Sequence, residues 1–131
     1  MGAINFQMMT NEISLKNNNL PDGNFKFAPT FTRQVRKDEK FGCTRLIVEA
    51  KNTKENPFPI DIKVDVMARI ELAEVPEEAR DEFLDNNAVS VLLPYVRTMI
   101  TNITSSALMV PIVLPMLDPH ELFPKDKENK E

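Results

Sequence analysis

The sequence predicts an α+β fold in which an antiparallel sheet comes first and helices follow. In the first half of the chain apolar and polar residues alternate, most cleanly over 60–72. In the second half apolar residues recur at spacings of three and four over 89–107. Alternation is typical of a half-buried strand, whereas the longer spacing is typical of an amphipathic helix. Because the strands precede the helices, an α+β architecture is favoured over alternating βα units.

The first four strand predictions rest on short alternating stretches. Residues 4–8 and 13–15 each suit a half-buried strand. Residues 16–24 contain three consecutive asparagines followed by proline, aspartate and glycine, which is the chemistry of a loop. Further strands are predicted over 31–37 and 43–51, the latter with Leu46, Val48 and Ala50 on one face.

The last strand prediction, 60–72, rests on an unbroken alternation of apolar and polar residues. One face carries only apolar residues, and the other carries Asp61, Lys63, Asp65, Met67, Arg69 and Glu71. Such a pattern indicates one buried face and one wet face. Residues 52–59 are interpreted as a hairpin loop, which makes the last two strands antiparallel.

Two helical stretches precede the C-terminal region. Pro76 and the acids after it predict a short helix to about Asp85, with a break at Asn86 and Asn87. A long helix follows, and Pro94 within it is expected to kink the helix or limit its first turn. Its predicted apolar stripe is Val89, Leu92, Leu93, Val96, Ile100, Ile103 and Ala107.

The C-terminal region begins with an apolar stretch that contains two prolines. Residues 110–115 are predicted to be extended, because proline restricts the residue before it. Asp118 and Pro119 are predicted to be the N-cap and first residue of a short helix that runs through Phe123. We expect one domain over 1–124 and a charged tail over 125–131.

Composition excludes several kinds of chemistry. The chain has 131 residues, one His, one Cys, three Gly and a formal net charge of −4. One cysteine cannot form a disulfide framework, one histidine cannot form a polyhistidine metal site, and three glycines cannot form a glycine-rich phosphate loop. The mild acidity argues against nucleic acid. We therefore expect no cofactor, and a binding protein rather than an enzyme.

Targeting signals are not evident in the sequence. Residues 1–10 lack the basic start and long apolar run of a signal peptide. The most apolar stretch, 107–117, is about half the ~20 residues that a membrane span needs. The expected location is the cytoplasm, without membrane insertion.

The second half of the chain also carries a recognisable combination of motifs. Residues 92–97 contain a proline–tyrosine pair followed two residues on by arginine, and a proline-bearing linker and Leu122-Phe123 come after it. Together with 6–8 and 12–15, these features resemble the SecB family of protein-export chaperones. The resemblance implies a four-stranded antiparallel sheet with a long helix and a short C-terminal helix, assembled as a dimer of dimers.

The resemblance also implies a function. SecB proteins bind unfolded polypeptides in apolar grooves between the sheet and the helical part. Carried over by position, the candidate groove residues are Met109, Val110, Ile112, Leu114, Met116, Leu122 and Phe123. Family members that hand clients to SecA use a strongly acidic outer sheet face and an extended C-terminal segment. Here the outer face of the predicted strand 60–72 mixes both signs of charge, which departs from that pattern. The further partner to consider is SecA or a single dedicated protein.

Two single residues were weighed as chemical sites. His120 would need a second positioned group to act as a base, so a surface or capping role is favoured. Cys43 is interpreted as a small buried hydrophobe rather than a reactive thiol. Glu77, Glu78, Asp81 and Glu82 are interpreted as a solvated first helical turn rather than a metal or acid–base site.

Two surface features have open interpretations. Met67, Met109 and Met116 either adapt to varied apolar partners or fill the core or an oligomer interface. An uncharged polar stripe on the long helix either faces water or packs against another copy of the chain. The stripe consists of Thr98, Thr101, Asn102, Thr104 and Ser105.

Two functional hypotheses follow. The first is an ATP-independent SecB-like holdase that binds apolar segments of non-native polypeptides as a homo-oligomer, a dimer or a tetramer. The second is an interaction protein of the same fold that serves one partner, such as a toxin–antitoxin component. An enzyme that uses the groove is the third and least favoured class, because the polar catalytic inventory is thin.

Overall fold

The sheet has four antiparallel strands in the order β1-β4-β3-β2. The computed structural model describes residues 4–124. The strands are β1 (Phe6–Asn17), β2 (Thr30–Lys37), β3 (Phe41–Ala50) and β4 (Ile60–Glu71). The predicted antiparallel sheet and the hairpin between β3 and β4 are confirmed.

The two central strands supply most of the core. On the inward face of β3, Leu46, Val48 and Ala50 are buried, as their alternation predicts. The inward residues of β4 are also buried, namely Ile60, Ile62, Val64, Val66, Ala68 and Ile70. They pack against one helical layer, and within residues 4–124 no second layer covers the opposite face of the sheet.

The two N-terminal stretches predicted separately belong to one strand, β1. Its register against β4 shifts between Thr10 and Glu12, so Asn11 is the extra residue of a bulge. The bulge inverts the alternation, because inward residues are even-numbered before it and odd-numbered after it. β1 continues to Asn17, which places two residues of the predicted loop 16–24 in the strand.

The predicted helix break at Asn86 and Asn87 is wrong. A 3₁₀ turn (Glu77–Ala79), a short α-helical turn (Arg80–Glu82) and a π-helical turn (Phe83–Asn87) lead without interruption into helix α1 (Ala88–Ser106). Asparagine breaks helices when its side chain competes with the backbone.

Tertiary contacts explain why the π-helical turn persists. The Asn86 amide donates to the Glu82 carboxylate at 3.0 Å. The Thr44 hydroxyl donates to the Leu84 carbonyl at 2.6 Å, and the Arg33 guanidinium donates to the Asp85 carbonyl at 2.9 Å. A π-helical turn frees backbone groups from the regular ladder, and here side chains of the sheet bind two of its carbonyls.

Glycine is required where β3 meets this π-helical turn. A Cβ atom at Gly42 would lie 2.6 Å from Leu84 Cδ2, well inside contact distance. The missing side chain therefore allows the turn to pack directly on the strand.

Most of the predicted apolar stripe of α1 is confirmed. Val89, Leu92, Leu93, Val96 and Ile100 are buried, and Ile103 is half-buried. Ala107 is exposed because the helix ends at Ser106, and Thr104 is buried one turn earlier. Pro94 lies inside the helix on its exposed side.

Beyond α1 the chain is extended until helix α2 (Pro119–Leu122). The predicted N-cap is confirmed, because the Asp118 carboxylate accepts from the backbone N–H of His120 at 3.0 Å and Pro119 is the first helical residue. The predicted tail 125–131 lies outside the described residues. Within 4–124 no helix is long and apolar enough to cross a lipid bilayer.

Candidate apolar binding surface

The chain reverses direction at the end of α1 around a leucine. Leu108 has a φ of 64°, in the left-handed region that glycine normally occupies. Its N–H donates to the Ser105 carbonyl at 3.1 Å, and the N–H of Met109 donates to the Thr104 carbonyl at 3.1 Å. These two bonds form a Schellman motif. The Leu108 side chain is 95% exposed, so neither packing nor backbone preference explains a leucine there.

The extended segment after Leu108 is hydrogen-bonded to one flank of α1. The Thr104 hydroxyl accepts from the Ile112 N–H at 3.0 Å, and the Thr101 hydroxyl donates to the Ile112 carbonyl at 2.8 Å. The Arg97 guanidinium donates to the Leu114 carbonyl at 3.2 Å. Two members of the polar stripe thus bond to this chain's own linker, and packing of the stripe against another copy stays a prediction.

This bonding decides which linker side chains face outward. Ile112 and Leu114 point toward the core, and Leu114 is 3% exposed. The residues between and beside them are turned to solvent. We call the exposed apolar set the linker strip; it comprises Leu108, Val110, Val113 and Met116.

The predicted groove residues divide into three groups by burial. Val110 and Met116 are exposed members of the linker strip. Leu114 belongs to the buried core. The remaining four are half-buried and pack against that core, namely Met109, Ile112, Leu122 and Phe123. Their role as a groove stays a prediction.

Helix α2 is anchored to the helical turns before α1. Its His120 lies 2.8 Å (Nε2) from the Glu82 carboxylate and 3.2 Å (Nδ1) from the Asp118 carboxylate. Hydrogen bonds to Glu82, then to Asp118, raise the pKa of His120. The Arg33 guanidinium lies 4.5 Å from the centre of the Phe123 ring. The capping role favoured for His120 fits these contacts, and Glu82 is a partner in them rather than a purely solvated acid.

A second apolar surface lies on the other flank of α1, between that helix and β1. It is a cavity of about 200 Å³, which we call the β1 cleft. At its rim Met8 is 43% exposed and Tyr95 is 51% exposed. Its lining includes Met8, Thr10, Val66, Leu92, Tyr95 and Met99. The sequence expectations did not include this cleft. Its sequence signal is that Met8 and Ile13 are apolar residues on the inward face of an edge strand.

The outer face of the sheet carries a buried ion pair. Asp65 is 2% exposed, and Arg45 donates to it through Nε at 2.9 Å and also through Nη2. The Arg45 hydrogen bonds outweigh burial and lower the pKa of Asp65. The Asn11 amide also donates to Asp65 at 3.2 Å, which ties the bulge of β1 to this pair.

Cys43 lies on this outer face and is half-buried, so the prediction of a buried hydrophobe is wrong. It shares the alternation of Arg45 rather than that of Leu46. Met67 lies on the same face, as predicted. Within the described part of the chain, no group of three or more histidine, cysteine or acidic residues is arranged to hold a metal ion.

Sequence comparison gives the family. The family model described as preprotein translocase subunit SecB matches residues 3–130. The chain belongs to the SecB family. A SecB-like chaperone family is non-enzymatic, which agrees with a surface built from apolar side chains.

A solved SecB-like structure has the same fold. It is the Mycobacterium tuberculosis Rv1957 SecB-like chaperone in complex with a ChAD peptide from the Rv1956 HigA1 antitoxin. The TM-score is 0.72 at 14% identity, and the match covers 88% of this chain and 91% of that chain. The predicted SecB-like architecture is therefore confirmed at the level of the fold.

A curated relative matches part of the chain. An uncharacterized protein of Methanocaldococcus jannaschii is 32% identical over 73 residues, which is 56% of this chain. The matched region is 47% of that protein, so the chain spans about half the length of the curated relative it matches.

Proposed function

We propose that this SecB-family protein is an ATP-independent holdase whose linker strip binds apolar segments of non-native polypeptides. The observation that carries the proposal is the geometry of the strip. Three exposed apolar side chains, Val110, Val113 and Met116, lie along an extended linker, and Leu108 lies on the turn before it. Arg97, Thr101 and Thr104 bind that linker at Ile112 and Leu114. A surface already fixed in its binding conformation does not have to be ordered when a client binds.

The chemistry of the linker strip suits varied apolar clients. Covering one such side chain contributes roughly 1.5–3 kcal/mol before the costs of association. Met116 is flexible and adapts its shape to different partners. Pro111 and Pro115 lack an N–H, so a client strand cannot form a continuous ladder along the linker. These features favour reversible binding of many sequences.

The predicted groove residues take distinct roles in this proposal. Val110 and Met116 contact the client directly, together with Met109, Ile112, Leu122 and Phe123 at the margins of the strip. Leu114 supports the backbone from beneath. Holding would operate by mass action, because the protein binds unfolded chains and removes them from aggregation. We place this activity in the cytoplasm, with residues 1–124 acting as one domain.

The test is an aggregation assay with several chemically unfolded clients. The wild-type protein at a few-fold excess should suppress light scattering, and Met116→Ser should weaken that protection. Ile47→Ser is the matched control, because it removes a half-buried apolar side chain from the outer face of the sheet, away from the linker strip and the β1 cleft, and should leave protection unchanged. Equal loss of protection in both variants, or no protection by the wild type, would overturn the proposal.

We further propose that the β1 cleft mediates self-association into a dimer or tetramer. β1 is an edge strand, and Met8, Ile13 and Tyr95 leave apolar surface exposed beside it. Exposed apolar patches next to an open sheet edge are typical of protein interfaces. Light scattering coupled to gel filtration should give a dimer or tetramer for the wild type and a smaller species for Tyr95→Asp. A monomeric wild type at micromolar concentration would contradict this.

The alternative function is binding to one dedicated protein. It is supported by the fold shared with a SecB-like chaperone that was solved with an antitoxin peptide. A single stoichiometric partner in pull-downs would favour the alternative, whereas a broad set of unfolded clients would favour the holdase.

A further inference from the structure

The outer face of the sheet has an uneven distribution of charge. Around Glu12 of β1 and Lys63 of β4, acids and bases alternate. The Lys63 Nζ atom lies 3.3 Å from the Glu12 carboxylate. At the opposite end, Arg36 on β2 and Arg69 on β4 share a face with Cys43 of β3 between them. We call Arg36 and Arg69 the arginine pair.

Strand register fixes the spacing of the arginine pair. Arg36 is paired with Cys43, and Cys43 is paired with Arg69. Because neighbouring strands lie about 4.8 Å apart, the two backbones are separated by roughly 10 Å. The small Cys43 side chain leaves a trough between the two longer side chains.

Arg69 is positioned by an aromatic ring. Its guanidinium carbon lies 3.8 Å from the centre of the Phe41 ring, which is a stacked cation–π contact. Its remaining hydrogen bond is a long one, 3.5 Å, to the Gln7 amide oxygen. Most of its donors are therefore available, and the stacked side chain is already ordered.

One neighbouring acid, Asp38, lies close enough to Arg69 to attract it electrostatically, but it forms no ion pair with either arginine. Within residues 4–124 neither Arg36 nor Arg69 forms an ion pair. Asp38 is the nearest acid along the β2–β3 turn, and one of its carboxylate oxygens accepts from the N–H groups of Lys40 and Phe41 at 2.8 Å each. Arg45 differs from the arginine pair, because Asp65 already binds it.

The arginine pair borders an open cavity of about 440 Å³. Phe41, Cys43 and Met67 contribute to the lining between and beside the two guanidinium groups. A second cavity of about 190 Å³ shares Arg36, Cys43 and Met67 with it. The surface is therefore elongated and partly apolar, and its lining holds three basic residues, Arg36, Lys37 and Arg69, against one acid, Asp38.

We propose that this end of the outer sheet face binds an acidic segment of a partner polypeptide. Two carboxylates of an extended segment can each reach one arginine, and its intervening side chains can rest on Cys43 and Met67. Guanidinium groups pair with carboxylates through two parallel hydrogen bonds. The spread of the arginine pair over three strands favours a polypeptide over a single small anion. The site lies on the opposite face from the linker strip, so it does not depend on the holdase function.

The experiment measures binding of a labelled peptide to the full-length protein by fluorescence anisotropy. The probe is a 12-residue peptide of alternating glutamate and serine, and matched glutamine–serine and lysine–serine peptides are compared with it. Serine avoids apolar contacts with the linker strip. We expect the glutamate peptide to bind about tenfold more tightly than the glutamine peptide, with weaker binding as salt rises.

A matched pair of variants assigns that binding to the proposed site. R36Q/R69Q should lose about tenfold in affinity for the glutamate peptide. K26Q/K54Q removes the same net charge from exposed positions elsewhere and should change affinity by less than about twofold. Equal losses in both variants, equal binding of the glutamine peptide, or full displacement by millimolar phosphate would overturn the proposal. Thermal unfolding of both variants verifies that they are folded.

Discussion

The two flanks of helix α1 contact their neighbours in different ways. On one flank Arg97, Thr101 and Thr104 bond to the backbone of the linker and hold it in place. On the other, Tyr95 and Met99 face β1 across the open β1 cleft. There the Thr10 hydroxyl makes only a weak contact with the Met99 sulfur, at 3.9 Å.

The difference lies in the chemistry of the helix side chains. Hydroxyl and guanidinium groups bind particular backbone atoms, so the linker flank has one defined arrangement. Apolar side chains need only a surface to cover them, so the β1 flank accepts another surface. One helix thus combines a fixed edge with an open one, and seven substitutions in four comparisons examine that contrast and the contacts around it.

The largest contrast should come from truncating one apolar residue on each flank. Leu114→Ala removes a buried anchor of the linker and should lower the free energy of unfolding by about 3 kcal/mol. Met8→Ala, at the half-exposed rim of the β1 cleft, should cost less than about 1 kcal/mol. Urea unfolding of both variants at one protein concentration provides the measurement. Similar losses would mean that the β1 flank is as tightly packed as the linker flank.

A second contrast removes a hydroxyl from two threonines of the same helix. Thr104→Val leaves the buried Ile112 N–H without its acceptor and should cost about 2 kcal/mol. Thr98→Val removes only an exposed bond to the Pro94 carbonyl and should change stability by less than about 0.5 kcal/mol. Hydrogen exchange at Ile112 should accelerate in the first variant alone. Unchanged protection of that amide would show that Thr104 does not hold the linker.

The third comparison uses two substitutions at Leu108 to separate backbone strain from client binding. Leu108→Gly removes a left-handed leucine and should raise the free energy of unfolding by about 1 kcal/mol, while weakening client protection. Leu108→Ala keeps the unfavourable backbone and removes most of the side chain. It should weaken client protection without the gain in stability. Full protection by both variants would exclude Leu108 from the binding surface.

The smallest effect concerns the contact that anchors α2. Because Glu82 and Asp118 raise the folded pKa of His120, its stabilising contribution is fully present below the unfolded pKa of about 6.5. The contribution is lost as pH rises through the folded pKa. His120→Gln should therefore be slightly less stable than the wild type at mildly acidic pH and equal to it at alkaline pH. A stability difference that grows with pH would reverse this assignment.

The features predictable from the sequence are those set by local periodicity. Unbroken alternation over 60–72 placed β4 and its buried face, and Asp118-Pro119 placed the start of α2. The inward side of the alternation changes between Met8 and Ile13, which indicates one strand with a bulge rather than two separate strands. Likewise, Cys43 shares the alternation of Arg45, and that signal was overlooked.

Other features depend on contacts between residues far apart in the chain. Thr104 resembles any threonine on a wet helical face until the reversal at Leu108 brings Ile112 back to it. The π-helical turn persists through two asparagines because Thr44 and Arg33 reach its carbonyls from the sheet. Neither contact has a local sequence signal. The seven groove residues follow from the resemblance to SecB proteins. Which of them are exposed depends on the path of the linker along α1, which the sequence does not show.

The bulge at Asn11 has a consequence for insertions and deletions. Thr10 already pairs with Val66 and Glu12 with Asp65, so deleting Asn11 would join two segments whose faces agree. The shortened β1 would form a regular ladder with β4 and lose only the amide bond to Asp65. Its outer edge would then be long and uninterrupted, which is the geometry that recruits strands from other molecules. A single extra residue thus interrupts the edge along which strands of other molecules could pair.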